Sequence, residues 1–207
     1  MSLTERSLHD LLAAFASSDP TPGGGSASAM ASAVGASLLM MVAGLPKTRS
    51  GSDEDRQALA EARAALGTAQ HALERAVDQD TAAYDRVAAA YKLPKATEAE
   101  QGARKAAIQR ALRAATDVPL EVMRLSAGGL VAAVAVARHG HKAAASDVGV
   151  AVGLLEAGLA GARLNVEINV GSLSDTAYVE GVKTDVGRLE REGRSAAEAA
   201  RSLLQAG

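Results

Sequence analysis

The longest uninterrupted apolar pattern in the chain lies between residues 53 and 91, and it constrains the fold more than any other feature. Leucine recurs there at heptad steps, at Leu59, Leu66 and Leu73, with a row of alanines beside it. A period of about 3.5 to 3.6 residues kept over this length predicts one long helix whose apolar seam packs against other helices. The segment therefore favours a helical bundle.

The composition points to the same fold class. Hydrophobic residues make up 48% of the 207 residues but aromatic residues only 2%, so the apolar side chains are mostly Ala, Leu and Val. Such side chains suit closely packed helices better than a β-sandwich. No segment alternates for long enough to predict a strand. We expect an all-α bundle of about six helices that forms a single domain over residues 1–207.

Breaks between the periodic stretches predict where the helices begin and end. The expected helices are residues 4–15, a small-residue helix ending near Gly44, residues 53–91, a helix opened by a Thr97/Glu100 capping box, a helix capped by Ser146 and Asp147, and residues 175–204. Apolar residues between 8 and 15 form a stripe on the first helix. Pro119 is expected to kink the fourth helix, and residues 138–141 are expected to form a loop.

Charge and cysteine content exclude several classes of protein. The formal net charge is -2 with both signs interspersed, so the sequence lacks the basic patch that nucleic-acid binding requires. It contains no cysteine, which excludes disulfides and thiolate metal sites and fits a reducing compartment. The polar first ten residues, with Glu5 and Asp10, do not resemble a signal or transit peptide. We expect a cytoplasmic protein.

Residues 23–46 contain no charged side chain, which is long enough to raise the question of a membrane span. The stretch holds four serines and many glycines and alanines, and its flanks carry no aromatic belt and no Lys/Arg cluster. The favoured interpretation is a helix inside a soluble bundle, buried on all of its own sides. An integral membrane protein is the alternative.

Asp80 occupies the heptad position between Leu73 and Val87 where a leucine is expected. A buried carboxylate needs partners or a raised pKa, which is the profile of a general acid or base. An aspartate that caps or bridges neighbouring helices explains the position equally well. Tyr84, one turn later, is placed to donate a hydrogen bond to Asp80, whereas Asp78 is expected to face water.

Two amides form the second unusual feature. Asn165 and Asn169 lie one turn apart on the same side of a helix, and Asn169 continues the apolar heptad of Val148, Leu155 and Ala162. Buried amides need hydrogen-bond partners. They either bridge neighbouring helices or orient a ligand, and the pattern favours the bridging role modestly.

Two further segments can bind a ligand. Residues 22–26 (PGGGS) open a helix, where glycines allow a close approach and free N–H groups attract anions, although tight packing explains them as often. They match neither a P-loop nor a Rossmann fingerprint. Residues 91–95 (YKLPK), with Arg104 and Lys105, collect positive charge at a helix corner, which is either a solvated face or a site for carboxylates. His139 and His141 match no metal-binding motif.

Seven short stretches, taken together and in this order, resemble the cyclodeaminase domain of the formiminotransferase-cyclodeaminase family and its stand-alone bacterial relatives, some of which are methenyltetrahydrofolate cyclohydrolases. They are residues 21–26 (TPGGGS), 77–84 (VDQDTAAY), 91–95 (YKLPK), 104–109 (RKAAIQ), 118–120 (VPL), 146–150 (SDVGV) and 165–169 (NVEIN). Each stretch is short, but the ordered set is specific. One departure is Gly140-His141, where the family usually carries Gly-Asn.

The resemblance implies a mostly helical homodimer or higher assembly, a tetrahydrofolate derivative as substrate, and no metal or other cofactor. The acid assigned to catalysis in the family corresponds to Asp80. The residues expected to contact substrate are Gly23, Gly24, Gly25, Ser26, Tyr84, Lys92, Lys95, Arg104, Ser146, Asp147, Asn165 and Asn169. Of these, the three cationic residues are candidates for binding the glutamate tail of the folate.

The resemblance implies one of two reactions. A formiminotetrahydrofolate cyclodeaminase converts 5-formiminotetrahydrofolate to 5,10-methenyltetrahydrofolate and ammonia, and this is the first expectation. A methenyltetrahydrofolate cyclohydrolase, which gives 10-formyltetrahydrofolate, is the alternative. A helical protein that binds folate or serves as a scaffold without catalysis is the alternative from a different class.

Overall fold

A computed structural model describes residues 2–206 of the chain. The α-helices are α1 (Leu8–Phe15), α2 (Gly24–Ala43), α3 (Asp53–Tyr91), α4 (Glu98–His139), α5 (Ala145–Val170) and α6 (Thr176–Gln205), and two 3-10 turns cover Leu3–Glu5 and Lys142–Ala144. Within residues 2–206 there is no β-strand, only an isolated bridge between Thr48 and Gly140. The predicted all-α bundle of about six helices is confirmed.

The helices pack around α2 and α4. Helix α2 contacts α3, α4 and α5, while α6 lies against α4 and α5. Helices α3 and α4 pack against each other as an antiparallel hairpin, and they contain 39 and 42 residues against 20 in α2. The closed end of this hairpin therefore extends past the shorter helices, and most of residues 91–106 are exposed.

Small residues allow α2 and α5 to approach closely. A Cβ atom on Gly158 would overlap the hydroxyl of Ser32, and one on Gly161 would overlap the hydroxyl of Ser28. The Ser32 hydroxyl also shares a 2.7 Å hydrogen bond with Ser126 of α4. The glycines, alanines and serines of these helices thus fit a junction of three helices in which larger side chains have no space.

Helix α2 is not buried on all sides, so that expectation is wrong. The side chains of Val34 and Met41 are 47% and 44% exposed, and Val150, Leu164 and Ile168 of the adjacent α5 are exposed as well. These five residues define the α2–α5 face. It contains no charged side chain, and no other helix of residues 2–206 covers it.

Three helical segments are long and apolar enough to cross a membrane by length and composition alone. They are α2, α4 and residues 142–170. Inside the bundle, between 39% and 56% of their apolar windows is buried. Much of their apolar surface therefore packs against other helices of the same chain.

The first helix differs from the prediction. It begins at Leu8 rather than at residue 4, because the Ser7 side chain caps it by accepting a hydrogen bond from the Asp10 N–H. Of the expected apolar stripe, Leu11 is buried, whereas Leu8 and Leu12 are 70% and 54% exposed. A helix of eight residues at the edge of the bundle has core on one narrow side only.

The connection between α4 and α5 also differs from the prediction. Arg138 and His139 form the last turn of α4, so the expected loop over residues 138–141 is shorter. Ser146 and Asp147 do not cap α5. They lie inside its first turn, because the preceding 3-10 turn leads directly into α5 at Ala145. The Thr97/Glu100 capping box at the start of α4 is confirmed.

A buried aspartate joins the α2–α3 connection to the end of α4. Asp55 accepts hydrogen bonds from the Ser50 N–H at 2.6 Å and the Thr48 hydroxyl at 3.0 Å, and its Oδ1 lies 2.8 Å from Nδ1 of His139. The backbone hydrogen bond from Ser50, followed by the contact with His139, holds the pKa of Asp55 well below its ordinary value. This cluster fixes the end of the bundle at which α4 terminates.

Candidate active site

A cavity of about 330 Å³ lies where the start of α2 meets α3, α4 and α5. Its lining residues are Pro20, Thr21, Gly23, Gly24, Gly25, Asp80, Ala83, Tyr84, Val87, Ala115, Asn165, Ile168 and Asn169. Asp80 is the one charged side chain among these residues. The cavity therefore combines an apolar wall with a carboxylate, two amides and the start of a helix.

The Asp80 carboxylate caps α2 from a neighbouring helix. The backbone N–H of Ser26 donates to Oδ2 at 2.9 Å, and the Ser26 hydroxyl lies 3.1 Å from the same oxygen. The N-cap residue of α2 is Gly23, which has no side chain that could take this role. No donor within residues 2–206 bonds to Oδ1 of Asp80, so that oxygen remains available to a ligand.

Burial changes the acidity of Asp80. The carboxyl is partly removed from water, which raises its pKa above the ordinary value, and the hydrogen bonds from Ser26 oppose the rise. A carboxyl with a raised pKa can take up and release a proton closer to neutral pH than an exposed aspartate can. This is the property that general acid–base catalysis requires.

Two asparagines on α5 present hydrogen-bond acceptors at the cavity. The amide nitrogen of Asn165 donates to the Gly161 carbonyl at 2.9 Å, and that of Asn169 donates to the Ala115 carbonyl of α4, also at 2.9 Å. Both partners are acceptors, which fixes the amide orientation, so each side-chain oxygen points away from them. Neither oxygen has a hydrogen-bond partner within residues 2–206. The predicted bridge between helices is present at Asn169.

The neighbours of Asp80 on α3 differ from the prediction. Tyr84 lines the cavity, but the hydrogen bonds to Asp80 come from Ser26, so the expected Tyr84 contact is wrong. Asp78 does not face water. It accepts hydrogen bonds from the Leu3 N–H and the Ser2 hydroxyl, both at 2.6 Å, and thereby fixes the N-terminal segment to α3.

The cationic candidates lie outside this cavity. Lys95 and Arg104 line a second cavity of about 440 Å³, together with Gln101, Lys105, Ile108 and Gln109. Lys92 is exposed and is not among the lining residues of either cavity. Arg104 donates to the Tyr91 carbonyl at 3.0 Å, which stiffens the hairpin end.

The two cavities lie along the same helix. Ile108 lines the second cavity and Ala115 the first, and they are seven positions apart on α4, which is two turns on the same side. From Ala115 to Arg104 the helix rises about 16 Å. An elongated ligand with an anionic end can therefore reach from one cavity to the other.

Ser146 and Asp147 lie far from the first cavity in the single chain. Both belong to the first turn of α5, whereas Asn165 and Asn169 are near its end. The rise of a helix over eighteen residues separates Asp147 from Asn165 by about 27 Å. The structure thus brings together the glycines, Asp80, Tyr84 and the two asparagines at the cavity but not Ser146 and Asp147. The expected substrate contact of Ser26 is wrong, because Ser26 is fully buried behind Asp80 and does not line the cavity.

Several cavity residues were not predicted from the sequence. Ala83 and Val87 follow Asp80 at helical spacing, and Ile168 follows Asn165 in the same way, so periodicity could have found these three. The role of Ala115 could have been found from Pro119, because a proline leaves the carbonyl four residues earlier without its helical partner. Within residues 2–206, no three His, Asp or Glu side chains are grouped so that they could hold a metal ion.

Residues 7–188 match the sequence model of a protein family, formiminotransferase-cyclodeaminase. The chain belongs to the formiminotransferase-cyclodeaminase family. It is 40% identical over 173 residues to a methenyltetrahydrofolate cyclohydrolase of Methylorubrum extorquens, an alignment that covers 84% of this chain and 83% of that protein. The resemblance predicted from the seven stretches is confirmed.

Longer members of the family are similar over one part of their length. The formimidoyltransferase-cyclodeaminase of Rattus norvegicus is 31% identical over 205 residues, which is 99% of this chain but 38% of that protein. The crystal structure of a formiminotetrahydrofolate cyclodeaminase from Thermotoga maritima matches with a TM-score of 0.88 at 24% identity, over 99% of this chain and 98% of that one. The two proteins therefore share the whole helical fold.

Proposed function

We propose that this member of the formiminotransferase-cyclodeaminase family makes or breaks the one-carbon bridge between N5 and N10 of tetrahydrofolate, with Asp80 as general acid and base. The observation that carries the proposal is the geometry of the Asp80 carboxyl. One oxygen is held by Ser26, the other is available to a ligand, and burial raises the pKa. Relatives named for folate chemistry support the choice of substrate.

The first candidate reaction is the cyclodeaminase reaction. N10 of 5-formiminotetrahydrofolate, whose formimino group reacts as the protonated amidinium, attacks the formimino carbon, and a tetrahedral carbon bonded to N5, N10 and an amino group forms. Asp80 accepts the proton that N10 loses and delivers it to the amino nitrogen, the bond from carbon to that nitrogen breaks, and ammonia leaves. The cavity contributes by holding N10 near the carbon, which replaces a chance encounter by a fixed geometry.

The second candidate reaction is the cyclohydrolase reaction. Water adds to the bridging carbon of 5,10-methenyltetrahydrofolate, and Asp80 accepts a proton from that water. Asp80 then delivers this proton to N5 as the bond from the carbon to N5 breaks, and the hydroxyl releases its proton to solvent to leave 10-formyltetrahydrofolate. One observation favours this reaction: the 40% identical relative with this name matches over 83% of its own length. Both reactions pass through a tetrahedral carbon bonded to N5, N10 and a third heteroatom, so one carboxyl serves either.

The glutamate tail of the folate would lie along α4. The reacting end binds beside Asp80, and the tail runs toward the second cavity, where Lys95, Arg104 and Lys105 supply positive charge. The rise of about 16 Å from Ala115 to Arg104 fits an extended ligand of this kind. Carboxylates of the tail would then pair with side chains that are otherwise solvated.

The functional form is proposed to be a water-soluble homodimer in the cytoplasm that contacts its copy through the α2–α5 face. This face is apolar and uncharged, and Ile168 belongs both to it and to the cavity, so a second copy would also shield the site. Leu164→Asp should convert a dimer to a monomer in sedimentation equilibrium, whereas Glu180→Asp on α6 should not. A monomeric wild-type protein, or one that partitions into detergent, would contradict this assembly.

Absorbance at the methenyltetrahydrofolate band tests the reaction. Growth of the band from 5-formiminotetrahydrofolate establishes the cyclodeaminase, and accelerated decay of added methenyltetrahydrofolate alone establishes the cyclohydrolase. If neither rate changes but a folate raises the Tm, the chain binds folate without catalysis and the proposal is wrong.

A further inference from the structure

Pro119 lies inside α4 and is buried, one turn after Ala115. Proline has no backbone N–H, so the Ala115 carbonyl lacks the donor that a regular helix would supply from position 119. The side-chain amide of Asn169 fills that place, because its nitrogen lies 2.9 Å from the Ala115 oxygen. A gap in the hydrogen bonds of one helix is thus closed by a side chain from another.

Closing the gap also fixes which atom of Asn169 faces the ligand. The nitrogen must point to the Ala115 carbonyl, so the side-chain oxygen is turned away from α4, and Asn169 and Ala115 both line the cavity that contains Asp80. Asn165 differs in this respect. Its amide donates to Gly161 of its own helix, a carbonyl that in a regular helix already accepts from the Asn165 backbone N–H.

We propose that Pro119 is a positioning residue of the active site, which acts through the Ala115 carbonyl to fix the Asn169 side-chain oxygen as an acceptor for an N–H group of the reduced pterin. The substrate contact rests on the proposed folate chemistry, whereas the coupling between Pro119 and Asn169 does not. Pro119 itself touches no reacting atom. Its effect is to hold the amide of Asn169 in one orientation, with the nitrogen directed at the Ala115 carbonyl and the oxygen available to a ligand.

A double-mutant cycle in stability tests the coupling without any turnover measurement. Asn169→Ala leaves the Ala115 carbonyl without a donor and should lower the Tm by about 4–8 °C. Adding Pro119→Ala to this variant returns a backbone N–H to position 119 and should recover most of that loss. The matched control is Asn165→Ala, because in that background Pro119→Ala should change the Tm by the same amount as it does in the wild type. Equal effects of Pro119→Ala in the two backgrounds would overturn the coupling.

The same variants test the substrate contact by kinetics. Asn169→Ala should raise KM about 10-fold with kcat nearly unchanged, because a hydrogen bond made equally in ground and transition states is lost. Pro119→Ala should raise KM several-fold in the wild type and leave KM unchanged in the Asn169→Ala background. A double variant that recovers its Tm but keeps the high KM supports the proposal. Recovery of KM together with Tm would show a structural role only, and absent turnover in the wild type would instead reject the proposed function.

Discussion

The carboxylate of Asp80 lies directly against the backbone of Gly25. A Cβ atom added at position 25 would lie within 2.7 Å of all three carboxyl atoms, which is closer than any van der Waals contact allows. Helix α2 can therefore begin beside Asp80 only because residue 25 has no side chain. Gly25 in the first turn of α2 and the aspartate that replaces leucine in α3 form a single structural unit.

Gly25→Ala should displace the Asp80 carboxylate, weaken its hydrogen bond with Ser26, and lower kcat/KM at least 10-fold with some loss of stability. Gly181→Ala on α6 is the matched control, because a Cβ there would meet no atom within 4 Å and position 181 lies outside the cavity. Steady-state kinetics of both variants test the difference. Equal activity of the two would show that the position of Asp80 is not critical.

The pH dependence of kcat/KM should report the carboxyl of Asp80. Its pKa is raised by burial and restrained by Ser26, so activity should fall on the acid side at a pH above the ordinary range of aspartate. Ser26→Ala removes the hydroxyl contact and should move that acid limb to higher pH. Ser37→Ala, whose hydroxyl bonds its own helix, should leave the limb in place. If the acid limb does not move in Ser26→Ala, the group whose ionisation limits kcat/KM at low pH is not Asp80.

Asp55 should contribute stability without contributing to catalysis. Its folded-state pKa is lowered, so this contribution is present above the unfolded-state pKa and is lost as the pH falls from there toward the folded-state pKa. Asp55→Asn should lower the Tm at pH 7, and the difference from the wild type should narrow as the pH falls below about 4. The KM and kcat at pH 7 should stay unchanged. A Tm difference that is constant with pH would show that the charge of Asp55 is unimportant.

The cationic cavity should affect binding of the tail and not the chemical step. Lys95→Ala and Arg104→Ala should each raise KM for a polyglutamylated substrate by about 2- to 5-fold, with kcat unchanged and with a smaller effect at high salt. Arg110→Ala, which removes a cation from a different cavity of the same helix, is the control. A monoglutamate substrate should respond less. Equal effects on both substrates would place the tail elsewhere.

Long periodic stretches allowed most of the fold to be predicted. The limits of α3 and the capping box that opens α4 follow from a sustained apolar seam and from local side-chain chemistry, which depend little on the rest of the molecule. The first helix and the start of α5 were less predictable. Leu8 and Leu12 match a helical stripe but have no core beneath them, and Ser146 precedes an apolar run without being its cap.

The candidate site was predictable in its residues more than in its contacts. Asp80 is recognisable because a carboxylate interrupts a leucine heptad, and that pattern lies within one helix. Its capping of α2 joins Ser26 and Asp80, which are 54 positions apart, and depends on how the two helices approach each other. The contact between Asn169 and the Ala115 carbonyl joins residues 54 positions apart, so Pro119 gave the only local signal for it.

The turnover and stability of Asp80→Asn test the central claim most directly. Asparagine keeps an oxygen that can accept the Ser26 hydrogen bond but cannot exchange a proton. The pKa of Asp80 is higher in the folded state than in the unfolded state. The wild-type protein therefore loses stability as the pH rises from the unfolded-state pKa through the folded-state pKa. Asparagine does not ionise, so the variant does not lose this stability. The account predicts at least a 100-fold loss of kcat in the absorbance assay, with a Tm at pH 7 equal to or above that of the wild type. A folded Asp80→Asn protein that retains wild-type turnover would contradict the assignment of Asp80 as the acid–base group.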